Sequence, residues 1–269
     1  MATTSSEPAS RLRSRFEAAG GKPTYVRQMF GRIARVYDSM NGLMTGGLDR
    51  RWRAFAAGKI ALGPGQVGLD VGTGTGDLAI ALARVSSPDA RVVGVDFTPE
   101  MLEIGRAKLA RLGLSGRIEL LQGDGERLAF ADDAFDACCS AFVVRNLADL
   151  PGGFREMFRV VRPGGRVVCL EMSHPRNPAF AAVFSLYFDR IVPLLGKLFG
   201  RAFDAYSYLP TSVSAFPDAP ALKTLMEAAG WTDVRYFYRV GGVVAVHAGT
   251  KPVAAGHTTF GLAQGSGND

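Results

Sequence analysis

The sequence predicts an α/β fold: a parallel sheet doubly wound, with helices on both faces. Three observations carry that prediction. Apolar runs of strand length at 67–71, 92–95, 118–122, 136–143 and 167–171 alternate with helix-period stretches at 77–85, 99–112 and 149–161. The first run closes on an acid followed by three alternate glycines, Val67-Gly68-Leu69-Asp70-Val71-Gly72-Thr73-Gly74-Thr75-Gly76-Asp77. That is the pattern of a buried strand, a tight turn and a helix start, with glycine supplying the unusual φ and a bare backbone for a ligand. The next apolar run closes on Asp96, about where a nucleotide-binding unit sets a carboxylate for ribose hydroxyls.

Length and composition frame the rest. At 269 residues the chain makes one domain with additions. Cys138, Cys139 and Cys169 lie in apolar runs without metal-ligand spacing, and adjacent Cys138 and Cys139 point to opposite faces of a strand. Buried free thiols in a reducing, cytoplasmic setting follow. His174, His247 and His257 are too dispersed for a metal site, so no metal is expected, and His247 reads as a packed residue. The net charge of +6 is concentrated in residues 1–58, which hold ten Lys/Arg and four Asp/Glu. Such a region suits an anionic partner, nucleic acid or a lipid surface, although charge alone equally describes a solvated face.

Taken in order, residues 1–23 are polar and read as a disordered tail; no apolar stretch follows the initial Met, so no secretory signal is expected. Residues 24–58 read as a helical cap. Val26, Met29, Phe30, Ile33, Val36 and Tyr37 make one apolar stripe. Met40–Gly47 reads as the break, and Asp49–Ala57 as a second helix. The alternating segment follows, and ligands in such sheets bind beyond the carboxyl ends of the strands. The third strand end carries Gly123-Asp124-Gly125-Glu126 and the fourth Ser140-Ala141-Phe142-Val143-Val144-Arg145-Asn146. After the fifth strand comes an insertion at 174–216, crowded with Phe180, Phe184, Tyr187, Phe188, Ile191, Leu194, Leu195, Leu198 and Phe199. Asp189, Arg190 and Pro193 interrupt it, and it is too broken for a membrane span. It reads as a lid or a pocket for a greasy substrate. Val234–Val240 and Val243–Ala248, joined at Gly241-Gly242, form a hairpin, and 253–269 is a polar tail.

The ligand class follows from the turn. A dinucleotide fingerprint needs glycine three positions after Gly74, where Asp77 stands. A pyrophosphate also prefers a helix N-terminus free of added negative charge. S-adenosylmethionine (SAM) instead carries a sulfonium and an ammonium, which carboxylates such as Asp70 and Asp77 favour. The acid-x-G-x-G-x-G pattern resembles the first motif of class I SAM-dependent methyltransferases.

Further stretches narrow the likeness. Tyr37-Asp38-Ser39-Met40-Asn41 with Trp52, Gly72–Asp77, Val144-Arg145-Asn146-Leu147, Met157–Gly165, Tyr206-Ser207-Tyr208-Leu209 and Gly241–His247 resemble the UbiE/MenG/Coq5 family of quinone C-methyltransferases, over about residues 25–252. The resemblance implies a Rossmann-like, seven-stranded sheet whose last strand is antiparallel, within a methyltransferase domain at 24–252. It implies SAM as cofactor, with Thr75 in the cofactor turn alongside Asp70, Gly72 and Gly76, Asp96 on the ribose, and Asp124 and Gly125 beside the adenine. The family often has alanine where Gly125 stands. A family serine contacting the cofactor aligns with Ala141, with Ser140 adjacent. The implied reaction is ring-carbon methylation of a polyprenylated quinol, demethylmenaquinol to menaquinol, with the benzoquinol of ubiquinone biosynthesis, or another hydrophobic small molecule, as the alternative.

That chemistry needs little machinery, because the sulfonium is already an activated donor and the protein must hold the acceptor in line with it. The acceptor carbon becomes nucleophilic when a neighbouring hydroxyl loses its proton. Arg145 is the candidate catalytic residue, as a cation for the resulting oxyanion, since a guanidinium stays protonated. The alternative for it is a structural ion pair. Tyr37, Asp38 and Asn146 are substrate-side candidates. A nucleic-acid methyltransferase is the rival class, but no [ND]-P-P-[YF] segment follows the fourth strand and no Pro-Cys nucleophile occurs, so no nucleic-acid partner is expected. A polyprenyl acceptor places the protein in the cytoplasm in peripheral contact with the membrane, with a homodimer surface as the other use of the apolar insertion.

Overall fold

The computed structural model describes residues 14–186, 190 and 203–253. Residues 1–13 and 254–269, and 187–189 and 191–202 of the apolar insertion, lie outside the described residues. Seven strands form one sheet: β1 (Val67–Val71), β2 (Arg91–Asp96), β3 (Ile118–Gln122), β4 (Phe135–Ala141), β5 (Val161–Met172), β6 (Thr232–Arg239) and β7 (Val244–Thr250), in the order β3-β2-β1-β4-β5-β7-β6. The first five are parallel, and β7 runs antiparallel to both β5 and β6. The order reverses between β1 and β4, which opens a crevice beyond their carboxyl ends.

Helices cover both faces. α1 (Lys22–Thr45), α2 (Leu48–Gly58), α3 (Asp77–Val85), α4 (Pro99–Arg111), α5 (Leu150–Val160), α6 (Pro178–Leu186), α7 (Phe203–Ser214) and α8 (Ala219–Ala228) follow in order. α2, α3 and α4 bury Trp52, Leu82 and Leu109 on one face, while α5 and α8 bury Phe154, Met157 and Met226 on the other. The alternation of side chains along β4 puts Cys139 in the first core and Cys138 in the second. All three thiols are free and buried, as their apolar runs imply. His247 is packed too, its Nε2 2.9 Å from the Ala219 carbonyl.

The cap differs from its sequence reading in two places. α1 does not break at Met40 but continues to Thr45 and ends where Gly46 takes a left-handed φ of 58°. Met40 is wholly buried. Burying it contributes about 1.5–3 kcal/mol, which outweighs the ~1 kcal/mol cost of Gly42 within the helix. Residues 14–23 are not all tail: a helical turn at 14–18 precedes α1. Phe16 anchors it edge-on against Tyr25, ring centroids 5.4 Å apart. α1, α4 and α7 enclose a third core around Met29, Ile33, Met101 and Tyr208. The cap thereby lies over the crevice.

Candidate active site

A cleft of about 140 Å³ lies beyond β1 and β2, lined by Gly72, Gly74, Asp96, Asp124, Gly125 and Asn146 among others. Asp96 ends β2 and is buried, which pushes its carboxyl upward. Its Oδ2 accepts from the Gly74 amide and its Oδ1 from the Thr98 amide, each at 2.9 Å. Each oxygen keeps acceptor capacity for a ligand diol. Gly72 has φ 69° and backs onto the Val143 side chain, so no β-carbon fits. Gly125 is less constrained: its φ is not positive, and a β-carbon there would meet only the Val71 side chain closely, Cγ1 at 2.8 Å.

Asp70 braces the turn. Its Oδ2 accepts from Thr73 Oγ1 at 2.7 Å and from the Ala79 amide at 3.0 Å, joining β1 to the first turn of α3. Burial raises its pKa to about 7. Thr75 donates to Asp38 Oδ1 at 2.6 Å and accepts from Lys108 Nζ at 2.9 Å. Lys108 also pairs with Asp38 at 2.5 Å and Asp77 at 2.7 Å. Asp38 therefore fastens the cap to the glycine turn and to α4. The charge of Asp77 is offset by Lys108, so the case against a dinucleotide rests on the missing glycine at 77 rather than on that charge. Ser140 is buried with its hydroxyl unpartnered. Ala141, facing the other way, borders a small cavity of about 20 Å³ with Gly72, Thr75, Asp77, Tyr37 and Arg53.

A second cavity, about 290 Å³, adjoins the cleft. Phe30, Tyr37 and Phe142 line both and form the wall between them. Its lining is chiefly apolar, with Met29, Ile33, Met44, Met172, Phe184 and Leu209. Polar groups are few: Tyr37, Asn41, Thr45, Asp49, Arg53, Arg145 and Tyr208. Burial raises the Tyr37 phenol above its ordinary value, against the pull of Arg53. Arg145 Nη1 donates to Glu171 Oε1 at 2.7 Å and to the Phe142 carbonyl at 2.6 Å, while its buried Nε has no partner. The structure thus gives Arg145 both a structural ion pair and a place on the cavity wall. Asn146 lies on the cofactor side and accepts from the Tyr208 hydroxyl at 3.1 Å.

Asp49 and Arg53 escaped the sequence reading. They form a buried ion pair one turn apart on α2, and Arg53 lies 5.4 Å from the centre of the Phe142 ring. Lys108 and Glu171 escaped as well. The available signal was the i,i+4 spacing of Asp49 and Arg53 beside Trp52, which by itself describes an ordinary surface pair. A carboxylate set for a diol, next to an enclosed apolar cavity with fixed cations, can transfer a group to a planar apolar acceptor that develops negative charge.

Comparison with known proteins agrees. The chain is 45% identical over 235 residues, 87% of this chain and 99% of that protein, to a Geobacter ubiquinone/menaquinone biosynthesis C-methyltransferase UbiE. It is 44% identical over 230 residues, 86% of this chain and 94% of that protein, to a Roseiflexus demethylmenaquinone methyltransferase. A putative S-adenosyl-L-methionine-dependent methyltransferase of known structure from Methanococcus maripaludis superimposes with a TM-score of 0.57 at 21% identity, over 84% of this chain and 94% of that one, and so shares the fold. The model of the ubiE/COQ5 methyltransferase family matches residues 19–251. With that match, and with relatives this similar over nearly their whole length, the chain belongs to the ubiE/COQ5 methyltransferase family.

Proposed function

We propose that this protein uses SAM to methylate a ring carbon of a polyprenylated quinol, with demethylmenaquinol as acceptor and menaquinol as product. The observation that carries the reading is the shared wall of Phe30, Tyr37 and Phe142 between the two cavities. The cleft behind Asp96 fits the adenosine of SAM, and the apolar cavity fits a fused aromatic head group. SAM supplies an activated methyl group when bound. The protein's own contribution is to hold the acceptor against that wall, exclude water and meet the developing oxyanion with a cation of the cavity lining, where Arg145 and Arg53 both stand. The Geobacter relative's name covers ubiquinone as well as menaquinone biosynthesis, so a polyprenyl benzoquinol is the second acceptor to test.

Peripheral contact with a membrane belongs to the same reading. No helix among the described residues is long and apolar enough to cross one. Leu48 and Val240 line the acceptor cavity and are also exposed, which puts an apolar rim at its mouth. A membrane-resident tail could remain in lipid while the head group enters there. The deciding experiment incubates the purified protein with methyl-labelled SAM and each chemically reduced quinol. Label in the menaquinol ring supports the proposal. Absence of methylated product from either quinol, with SAM bound by calorimetry, overturns the acceptor assignment.

A further inference from the structure

We propose that Asp49 accepts the acceptor's ring-hydroxyl proton and that Arg53 receives the oxyanion left behind. The assignment rests on ring-carbon methylation and names the group that activates the acceptor. Asp49 is the one carboxylate lining the acceptor cavity among the described residues, and no histidine lines it. Side chains of Asp49 and Arg53 are each only 7% exposed. Thr45 Oγ1 stands 3.0 Å from Asp49 Oδ1. Arg53 also borders the small cavity at the glycine turn, so its guanidinium stands between the acceptor cavity and that turn, with Asp49 one helical turn behind it. The other nearby acids are committed elsewhere: Asp38 and Asp77 to Lys108, Asp70 to Thr73 and Ala79, Glu171 to Arg145. A buried ion pair in an apolar wall is at best a weak source of stability. Placing one where a proton must move is the arrangement functional sites use.

The chemistry is an exchange of partners. At rest the Asp49 carboxylate neutralises Arg53. When the ring hydroxyl gives its proton to Asp49, the ring oxygen becomes the anion and pairs with Arg53, so the charge of the cavity does not change. The ring carbon beside that oxygen then bonds to the methyl carbon as the carbon–sulfur bond breaks, leaving the neutral thioether. The methylated carbon loses its hydrogen as a proton to water, the ring regains aromaticity, and Asp49 returns its proton to the ring oxygen. The net products are methylated quinol, thioether and one proton. The other charged or titratable groups facing this site are Tyr37 from α1, Tyr208 from α7 and Arg145 from the segment after β4.

The test uses Asp49→Asn and Asp49→Glu in the full chain, with SAM and a reduced short-chain demethylmenaquinol as probes. In the wild type, kcat stays flat between neutral and mildly alkaline pH. Asp49→Asn lowers kcat at neutral pH about 10²–10³-fold, within the usual range for general base catalysis. Its residual rate climbs with pH as the acceptor ionises unaided, while SAM affinity stays within about twofold of wild type. Asp49→Glu keeps the carboxylate and the flat profile at reduced kcat, and it serves as the reference if the asparagine variant fails to fold. An Asp49→Asn variant with wild-type kcat, or a glutamate variant whose rate climbs with pH, overturns the assignment while an active wild type leaves the quinol reading intact. A wild type inactive on both quinols removes that reading and this assignment with it.

Discussion

Each carboxylate oxygen of Asp96 accepts one backbone amide, and the residue lines the cleft. A charge-assisted hydrogen bond contributes about 1.5–3 kcal/mol. Asp96→Ala is therefore expected to weaken SAM binding at least about tenfold, read by calorimetry, with the chain still folded. Asp70 makes a different prediction. Its pKa in the fold, about 7, lies above the ordinary 3.8 because burial disfavours the carboxylate. The folded chain therefore holds this proton between about pH 4 and 7, where the unfolded chain has released it. Stability from this group is full below about pH 4 and declines as pH rises to about 7, by about 1.4 kcal/mol per unit of separation at most. Asp70→Asn keeps an oxygen for Thr73 and Ala79 and should flatten that decline in urea melts taken from pH 5 to 7.5. Asp70 and Asp96 were legible because each closes an apolar run, so strand position fixes where the carboxylate stands. Asp49 and Arg53 were not. Opposite charges four apart on a helix describe solvent pairs, and only the packing of α1 and the sheet around them makes this one buried.

At the scale of elements, α1 is held down by side chains from three places. Asp38 on α1, Asp77 at the start of α3 and Lys108 on α4 form one partly exposed cluster, with Thr75 bonded into it. Such pairs contribute roughly 1 kcal/mol or less each and are screened by salt. Lys108→Met should speed SAM release a few-fold in stopped-flow displacement. Wild-type release should quicken with salt, and the variant's should respond much less. Strand positions and the doubly wound class were readable from the alternation of apolar runs, while the antiparallel last strand came from the family resemblance and the terminal hairpin. The length of α1 was not, because Met40-Asn41-Gly42 has poor local helix propensity and only the burial of Met40 carries the helix through. Phe16 in the polar start escaped for a similar reason: it is held between Tyr25, across the Gly20-Gly21 break, and Tyr208, which is distant in sequence.

Across the described residues, four of the seven exposed large apolar side chains lie at or beside one opening, Val85, Leu112 and Val253 being the others. Leu48 and Val240 are exposed at the acceptor cavity, and exposed Leu43 and Leu186 lie within two residues of its lining residues Met44 and Phe184. Arg50, Arg51 and Arg176 are exposed close by in the chain, and Arg27, Arg32 and Arg35 lie exposed along α1. Basic residues at an anionic surface contribute ~1 kcal/mol each, and a few apolar side chains add reversible anchoring. The expected result is weak, salt-sensitive sedimentation with anionic vesicles and little with neutral ones. It should fall when Leu43, Leu48 and Val240 become serine or when Arg27, Arg32 and Arg35 are reversed. Protein that stays in the supernatant with anionic vesicles at low salt would refute the contact. The greasiness of the 174–216 insertion was plain in the sequence. It also reads there as a lid or a pocket for a greasy substrate, and among its described residues Phe184, Tyr208 and Leu209 line the acceptor cavity; which side chains do so is set by the fold, not by local pattern.

The wall of Phe30, Tyr37 and Phe142 also has a thermodynamic consequence. Two of its three residues belong to α1, so under the proposed function quinol and nucleoside would press on the same helix from opposite sides. Any ordering of α1 by one ligand would lower the ordering cost left for the other, and such cooperativity is reciprocal: quinol would tighten the nucleoside by the same factor by which the nucleoside tightens quinol. The spent thioether keeps the adenosine and loses only the methyl and its charge, so it shares most of that linkage. Release of the first product therefore loosens the hold on the second, and the lipid-soluble ring and the water-soluble nucleoside leave toward different phases through one shared relaxation.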